Sequence, residues 1–192
     1  MEEDMTQRIN PAIKKIMKEL IYDQEQIKER IEEMGAEITR DYKGKDLIVI
    51  GILRGAIFFM TDLLKEIELP VTIDFMALSS YGDSSKSSGV VRILKDLEED
   101  IEGKDVLVVE DIVDTGLTLN YLIKNLENRG ANSVKIAALL DKPERRLVNV
   151  DVSYLGFHIK DEFIIGYGLD YAQDYRNLPY IASLKEEVYE NN

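Results

Sequence analysis

The sequence predicts an α/β fold, a mostly parallel, twisted sheet flanked by helices. Three observations carry this. Leu47-Ile48-Val49-Ile50-Gly51-Ile52 and Val106-Leu107-Val108-Val109 are apolar throughout, and Val134 to Leu140 is nearly so, the pattern of strands buried on both faces. Stretches with apolar residues at helical spacing separate these runs, and alternation of strands with helices builds a parallel sheet through right-handed crossovers. After the run at 106–109 the chain passes through Glu110-Asp111-Ile112-Val113-Asp114-Thr115-Gly116-Leu117-Thr118, an acidic pair and a small-residue turn leading into a helix.

In chain order, Asn10-Pro11 is a plausible helix start. Ile13, Ile16, Met17, Leu20, Ile21, Ile27, Ile31 and Met34 then recur at helical spacing, so residues 12–36 read as one or two amphipathic helices. The strand at 47–52 is followed by Leu53-Arg54-Gly55-Ala56 and a helix from Ile57 to Glu66, which Pro70 closes off. Val71 to Leu78 reads as a strand. Residues 79–89 hold six serines and two glycines, a composition that cannot bury a core; their place just after a strand favours a lid over an interdomain linker. Val90 to Leu94 is one arm of the ribbon carrying that loop. Thr118 to Asn128 reads as a helix stopped by Gly130. Val152 to Phe157 and Phe163 to Ile165 are short strands ahead of a Tyr-rich tail.

The chain has 192 residues, enough for one well-buried core and short for two. Its formal net charge is -13, from 24 Lys plus Arg against 37 Asp plus Glu, which makes nucleic acid and anionic membrane surfaces poor partners. It has no cysteine, which excludes disulfides, thiolate catalysis and Cys-based zinc sites, and one histidine, His158, which excludes a His-rich metal site. His158 lies on a strand pattern away from the motifs and reads as structural. The acidic start, Met1-Glu2-Glu3-Asp4, lacks an apolar signal core, and no apolar run approaches the ~18 residues of a membrane helix, so the cytoplasm is the expected compartment.

Ligands of parallel sheets bind beyond the carboxyl ends of the strands. That places Arg54-Gly55, the loop at 79–89 and Asp111 to Thr118 around one crevice. Backbone amides at the turn and helix start attract phosphate, Gly116 permits close approach of the backbone, and Thr115 and Thr118 add hydroxyls. Glu110 and Asp111 suit sugar hydroxyls or Mg²⁺. Asp114 is placed either to handle a proton or to cap the helix. An ATPase is disfavoured because no G-x-x-x-x-G-K-[ST] occurs. A phosphoacceptor receiver is disfavoured because its acidic pair would be expected early in the domain.

The segment Glu110 to Thr118 resembles the phosphoribosyl-pyrophosphate (PRPP) signature of the type I phosphoribosyltransferases. Leu53-Arg54-Gly55-Ala56 resembles their pyrophosphate loop, with Arg54 where many relatives carry Lys, and Ser79-Ser80-Tyr81-Gly82 resembles the start of their flexible loop. Lys142, in Leu140-Asp141-Lys142-Pro143, and Phe163 to Tyr171 point to the hypoxanthine-guanine branch. The resemblance spans most of residues 45–180. It implies a core at about 36–140, with a small hood subdomain from 1–35 and 141–192, all within one domain.

The implied reaction is transfer of ribose 5-phosphate from PRPP to N9 of a 6-oxopurine. The resemblance gives the 5′-phosphate to Asp114, Thr115, Gly116, Leu117 and Thr118, and PRPP and Mg²⁺ to Glu110 and Asp111, with Asp170 a further metal ligand. It gives pyrophosphate to Arg54, Gly55 and Arg176. The purine goes to Lys142, Phe163, Ile164 and Asp170, its N7 proton to Asp114, and the lid to Ser79, Ser80 and Tyr81. It further implies a cis peptide at Leu53–Arg54 and a homodimer or homotetramer. A xanthine-accepting transferase and a PRPP-sensing regulator are the alternatives; the acidic charge and the want of a DNA-binding arm weigh against the regulator.

Overall fold

The computed structural model describes residues 9–81 and 90–189. The six-stranded sheet runs β4-β3-β2-β5-β6-β7, formed by β2 (Leu47–Leu53), β3 (Thr72–Tyr81), β4 (Val90–Lys95), β5 (Asp105–Val113), β6 (Ser133–Asp141) and β7 (Tyr154–His158). All neighbours are parallel except β3 and β4, which form an antiparallel ribbon. The apolar runs divide by alternate residues between two cores. Leu47, Val49, Leu107, Val109, Ala137 and Leu139 face α2 (Gln24–Asp41) and α3 (Ile57–Glu66). Ile48, Ile50, Val106, Val108, Ile136 and Ala138 face α4 (Leu117–Asn128). Burial on both faces explains why these strands lack polar alternation.

A second sheet, β1-β9-β8, joins β1 (Met17–Tyr22) to β9 (Ile181–Leu184) and β8 (Ile164–Ile165), all antiparallel. Its strands come from both ends of the chain. Ile164 and Ile181 pack into the core beside α2 and α3, while Ile165, Ala182 and Leu184 pack with Ile9 and Tyr180.

Two expectations are corrected. Residues 12–36 are not continuous helix: α1 (Pro11–Ile16) ends at Met17, and β1 intervenes before α2. Met17, Leu20 and Ile21 satisfy helical spacing, but backbone pairing with Ile181–Leu184, bulged at two places, overrides it. Asp23 then opens α2 with a capping box, its carboxylate accepting from Gln26 N and Gln26 Oε1 accepting from Asp23 N. The boundaries expected for the core were also too narrow. Strand β7 lies beyond residue 140 yet pairs in parallel with β6, and α2 begins before 36 yet buries Ile27, Ile31 and Met34 in the main core.

Asp74 pins the β3–β4 edge. It is 5 % exposed, its Oδ1 accepts from Phe75 N (2.7 Å), and its Oδ2 accepts from Glu98 N (2.7 Å) and Glu99 N (3.0 Å). Burial alone would raise its pKa, but the three amides and Lys95 outweigh burial and hold it below the usual value. A depressed carboxylate contributes stability above its unfolded pKa, near 3.8, that is lost as pH falls through the folded value. Asp74→Ala is expected to lower stability by about 1–3 kcal/mol at pH 7, with the difference shrinking below pH 3.8. Urea midpoints across pH measure this.

Candidate active site

In the strand order, β2 has β3 on one side and β5 on the other, so crossovers leave in opposite directions and open a crevice at the carboxyl ends of β2 and β5. The Leu53–Arg54 peptide at the end of β2 is cis. Gly55 follows, buried, and a Cβ there would overlap the Asp111 carboxylate. The expected pyrophosphate loop and the acidic pair are thus in contact, which demands glycine at 55.

The acidic pair arrives inside β5, not after it. Ile112 and Val113 still pair with Leu140 and Asp141 of β6, so the strand outlasts its apolar run. Glu110 Oε2 is buried without a hydrogen-bond partner. Burial, and then the charge of Asp111, push the Glu110 pKa well up. Burial lifts Asp111 to about 6; its own amide and that of Ile112, with Arg176, pull it down, and Asp170 pushes it up again. Two crowded carboxylates with an open oxygen form a receptacle for positive charge.

The turn after β5 is held open by Gly116, whose φ is +81° and whose added Cβ would lie 2.8 Å from Val148 O. Gly116, not Asp114, is the N-terminal cap residue of α4, and it supplies no side-chain cap, so the helix-cap reading of Asp114 falls. The first-turn amides of α4 therefore have no carbonyl within the helix. Glu110, Asp114, Thr115, Gly116 and Thr118 help line a cavity of about 130 Å³ here. From across the crevice, Leu147 N and Val148 N donate to Thr115 O at 2.9 and 3.3 Å.

Lys142 stands at the end of β6. Its amide donates to Val113 O at 2.9 Å, and its side chain is mostly buried with Nζ donating to Glu162 O at 2.6 Å. Phe163 is 37 % exposed, and Ile164 beside it is buried. One face of the Phe163 ring stacks on Tyr189 at 5.1 Å, and Tyr171 meets it edge-on at 5.5 Å. His158 is nearer the site than the sequence suggests: it ends β7 opposite Asp141, with Nδ1 3.3 Å from Asp141 Oδ2, one residue from Lys142.

The loop after β8 packs against the expected pyrophosphate loop. Arg176 Nη2 lies 2.6 Å from Asp170 Oδ1, and Arg176 Nη1 donates to Gly168 O at 2.7 Å. Gly168, at φ +103°, lies so close to Gly55 that an added Cβ would overlap the Gly55 carbonyl. Gln173 was not foreseen. It accepts from Arg54 Nη1 at 3.0 Å and from Arg176 Nη2 at 3.4 Å, and its own amide donates to Asp170 Oδ2 at 2.8 Å. Its φ is +74°, and the only trace in the sequence is its spacing, midway between Asp170 and Arg176. Ser79, Ser80 and Tyr81 end β3, and the remainder of the expected lid, 82–89, lies outside the described residues.

The family model for the phosphoribosyl transferase domain matches residues 17–172. The chain belongs to the phosphoribosyltransferase family. A Streptococcus agalactiae protein named hypoxanthine-guanine phosphoribosyltransferase is 52% identical over 173 residues, covering 90% of this chain and 96% of that one. One from Staphylococcus aureus is 50% identical over 175 residues, covering 91% and 98%. Among solved structures, a hypoxanthine phosphoribosyltransferase from S. aureus superposes with a TM-score of 0.91 at 48% identity, covering 95% of this chain and 99% of that chain. A hypoxanthine-guanine phosphoribosyltransferase from Bacillus anthracis superposes with a TM-score of 0.85 at 46% identity, covering 88% and 99%.

Two further properties bear on this phosphoribosyltransferase's site. Among the described residues, no group of three or more His, Cys, Asp and Glu side chains could hold a metal ion on its own. At phosphate sites Mg²⁺ takes most of its ligands from substrate and water. The orphaned Glu110 oxygen fits such a cation. Among the described residues no helix is long and apolar enough to cross a membrane.

Proposed function

We propose that this chain transfers the 5-phosphoribosyl group of PRPP to N9 of hypoxanthine or guanine, giving IMP or GMP and pyrophosphate in purine salvage. One observation carries the reading: Lys142 N bonds to Val113 O, which puts a lysine suited to a purine oxygen against the turn suited to a phosphate. The relatives' names point the same way. Nothing in the relatives favours the regulator.

The 5′-phosphate is held by the amides and hydroxyls of Asp114 to Thr118, and pyrophosphate by Gly55, Arg54 and Arg176. Gln173 ties those two arginines together. Glu110 and Asp111 hold the ribose hydroxyls and Mg²⁺, with Asp170 beside them; both Asp170 oxygens are already engaged by Arg176 and Gln173, so Asp170 shares rather than donates outright. Mg²⁺, when bound, neutralises the leaving pyrophosphate. As C1′ gains oxocarbenium character, N9 attacks and Asp114 accepts the N7 proton. The open face of Phe163 takes the purine, its other face being Tyr189's. The protein is expected to work in the cytoplasm as a homodimer or homotetramer.

Lysine is a pure donor, so it pairs with a 6-oxo group and opposes the amino group of adenine. Two donors left facing each other cost about 1–3 kcal/mol. PRPP-dependent nucleotide formation with hypoxanthine, guanine, xanthine and adenine, with and without Mg²⁺, tests the proposal. Hypoxanthine or guanine should exceed adenine roughly tenfold or more in kcat/KM, and omission of Mg²⁺ should abolish product. Absence of product from both 6-oxopurines would overturn the reading; turnover of xanthine would widen it to the xanthine-accepting form.

A further inference from the structure

Arg145 has no role in the reaction as described, yet it stands between the two groups that face the purine. It lies in a single 3-10 turn, Pro143–Arg145, which leaves β6 just past Lys142. Its Nε is 2.7 Å from Asp114 Oδ1, and its Nη1 donates to Asp161 Oδ1 at 3.3 Å. The same Asp161 oxygen lies 3.5 Å from Lys142 Nζ. Four charges therefore alternate in a chain: Asp114, Arg145, Asp161, Lys142.

Folding stability does not account for this chain. The side chains of Arg145, Asp114 and Asp161 are 46%, 45% and 45% exposed, and ion pairs so open to solvent add little. Nor is Asp114 tied up within the fold: Arg145 Nε, 2.7 Å from its buried Oδ1, is the only partner of its carboxylate among the described residues. Arg145 thus fixes the carboxylate through Oδ1, and the side chain, 45% exposed, keeps Oδ2 for an incoming donor. At the other end, Asp161 and the Glu162 carbonyl hold the Lys142 ammonium, which has three N–H donors and so retains one for an acceptor.

A 6-oxopurine with its proton on N7 presents a donor and an acceptor side by side on one edge. Reading that edge requires an acceptor and a donor set at a matching separation. Asp114 lies on the turn after β5 and Lys142 at the end of β6, and each on its own has several rotamers. A group that grips both ends removes that freedom before the purine arrives, and preorganisation of this kind raises affinity without any new contact to ligand.

We propose that Arg145 is a positioning residue for the purine: bridging Asp114 and Asp161, it fixes the separation of the N7-facing carboxylate and the O6-facing ammonium. The proposal rests on the hypoxanthine-guanine reading above. Its effect falls on the purine and not on PRPP, because its side chain pairs with the Asp114 and Asp161 carboxylates, whereas the 5′-phosphate is offered backbone amides and hydroxyls of the turn.

The test uses the full chain with hypoxanthine and PRPP varied separately, in wild type, Arg145→Ala and Arg145→Lys. Arg145→Ala should raise the KM for hypoxanthine roughly five- to twentyfold, leave the KM for PRPP within twofold, and leave the melting temperature nearly unchanged. Arg145→Lys should recover part of the loss, because an ammonium pairs with one carboxylate but lacks the planar fork to span two. An unchanged KM for hypoxanthine would overturn the proposal. So would a parallel rise in both KM values, or equal losses in the two variants with a lowered melting temperature, which would mark Arg145 as merely structural. Wild type that makes no product from hypoxanthine or guanine would refute the parent reading instead, so the two failures are distinguishable.

Discussion

Replacing Asp114 by Asn should lower kcat with hypoxanthine by about 10²–10⁴-fold while PRPP still binds, the range expected when a positioned general base is removed. Asn keeps the shape of the side chain and an oxygen that can accept a hydrogen bond, but its amide cannot take up a proton. The turn itself should survive: Gly116, with its positive φ, caps α4, and Asp114 contributes no cap bond that Asn would remove. The backbone amides proposed to hold the 5′-phosphate should therefore be the same in both proteins. Titration calorimetry with PRPP and Mg²⁺ reports binding, and steady-state rates with saturating hypoxanthine report turnover. A variant with kcat within threefold of wild type would remove the proton-accepting role. A variant that no longer binds PRPP would make Asp114 part of the phosphate cradle instead.

Local chemistry explains which features were legible in the sequence. The strands at 47–52 and 106–109 were readable because burial on both faces leaves no polar residue in the run, and that signal is independent of what they pair with. The turn at 114–118 was readable because a glycine that must adopt φ +81° and the hydroxyls beside it are adjacent in the chain. By contrast, Met17–Tyr22 becomes a strand only because Ile181–Leu184 lies alongside, some 160 residues later, and its apolar spacing fits a helix equally well. Strand β7 is similar: Tyr154–His158 is short and only partly buried, and its place in the main sheet is set by β6. Gln173 and Arg145 were missed for a related reason. Each acts by bridging residues drawn together from distant segments, and neither residue type in isolation marks a site.

Asp111→Asn should separate stability from function in a pH-dependent way. Burial lifts the Asp111 pKa to about 6, from an ordinary value near 3.8, with Asp170 adding to the rise. The folded protein thus holds this proton more tightly than the unfolded chain. The sign follows: the group favours folding fully below pH 3.8, and that favour is lost as pH climbs through about 6, where a charged carboxylate sits beside Glu110 in a poorly hydrated crevice. Asn carries no charge, so without ligands the variant should melt above wild type at pH 8, and the gap should close towards pH 4. Catalysis should move the opposite way. The charge that costs stability is the charge that would hold Mg²⁺ and the ribose hydroxyls, and losing a carboxylate that orients a bound cation typically weakens activity about 10–100-fold. We expect kcat/KM for PRPP to fall by that amount at pH 8, and the wild-type value itself to decline as pH drops through about 6 and Asp111 takes up its proton. Thermal melts at several pH values, paired with PRPP-dependent rates, measure both halves. A variant that is less stable at pH 8, or one that keeps full kcat/KM for PRPP, would show that the buried charge at Asp111 serves the fold and not the substrate. The expected pattern instead makes the acidic pair a place where the fold gives up stability so that a cation and a phosphorylated sugar can restore it on binding.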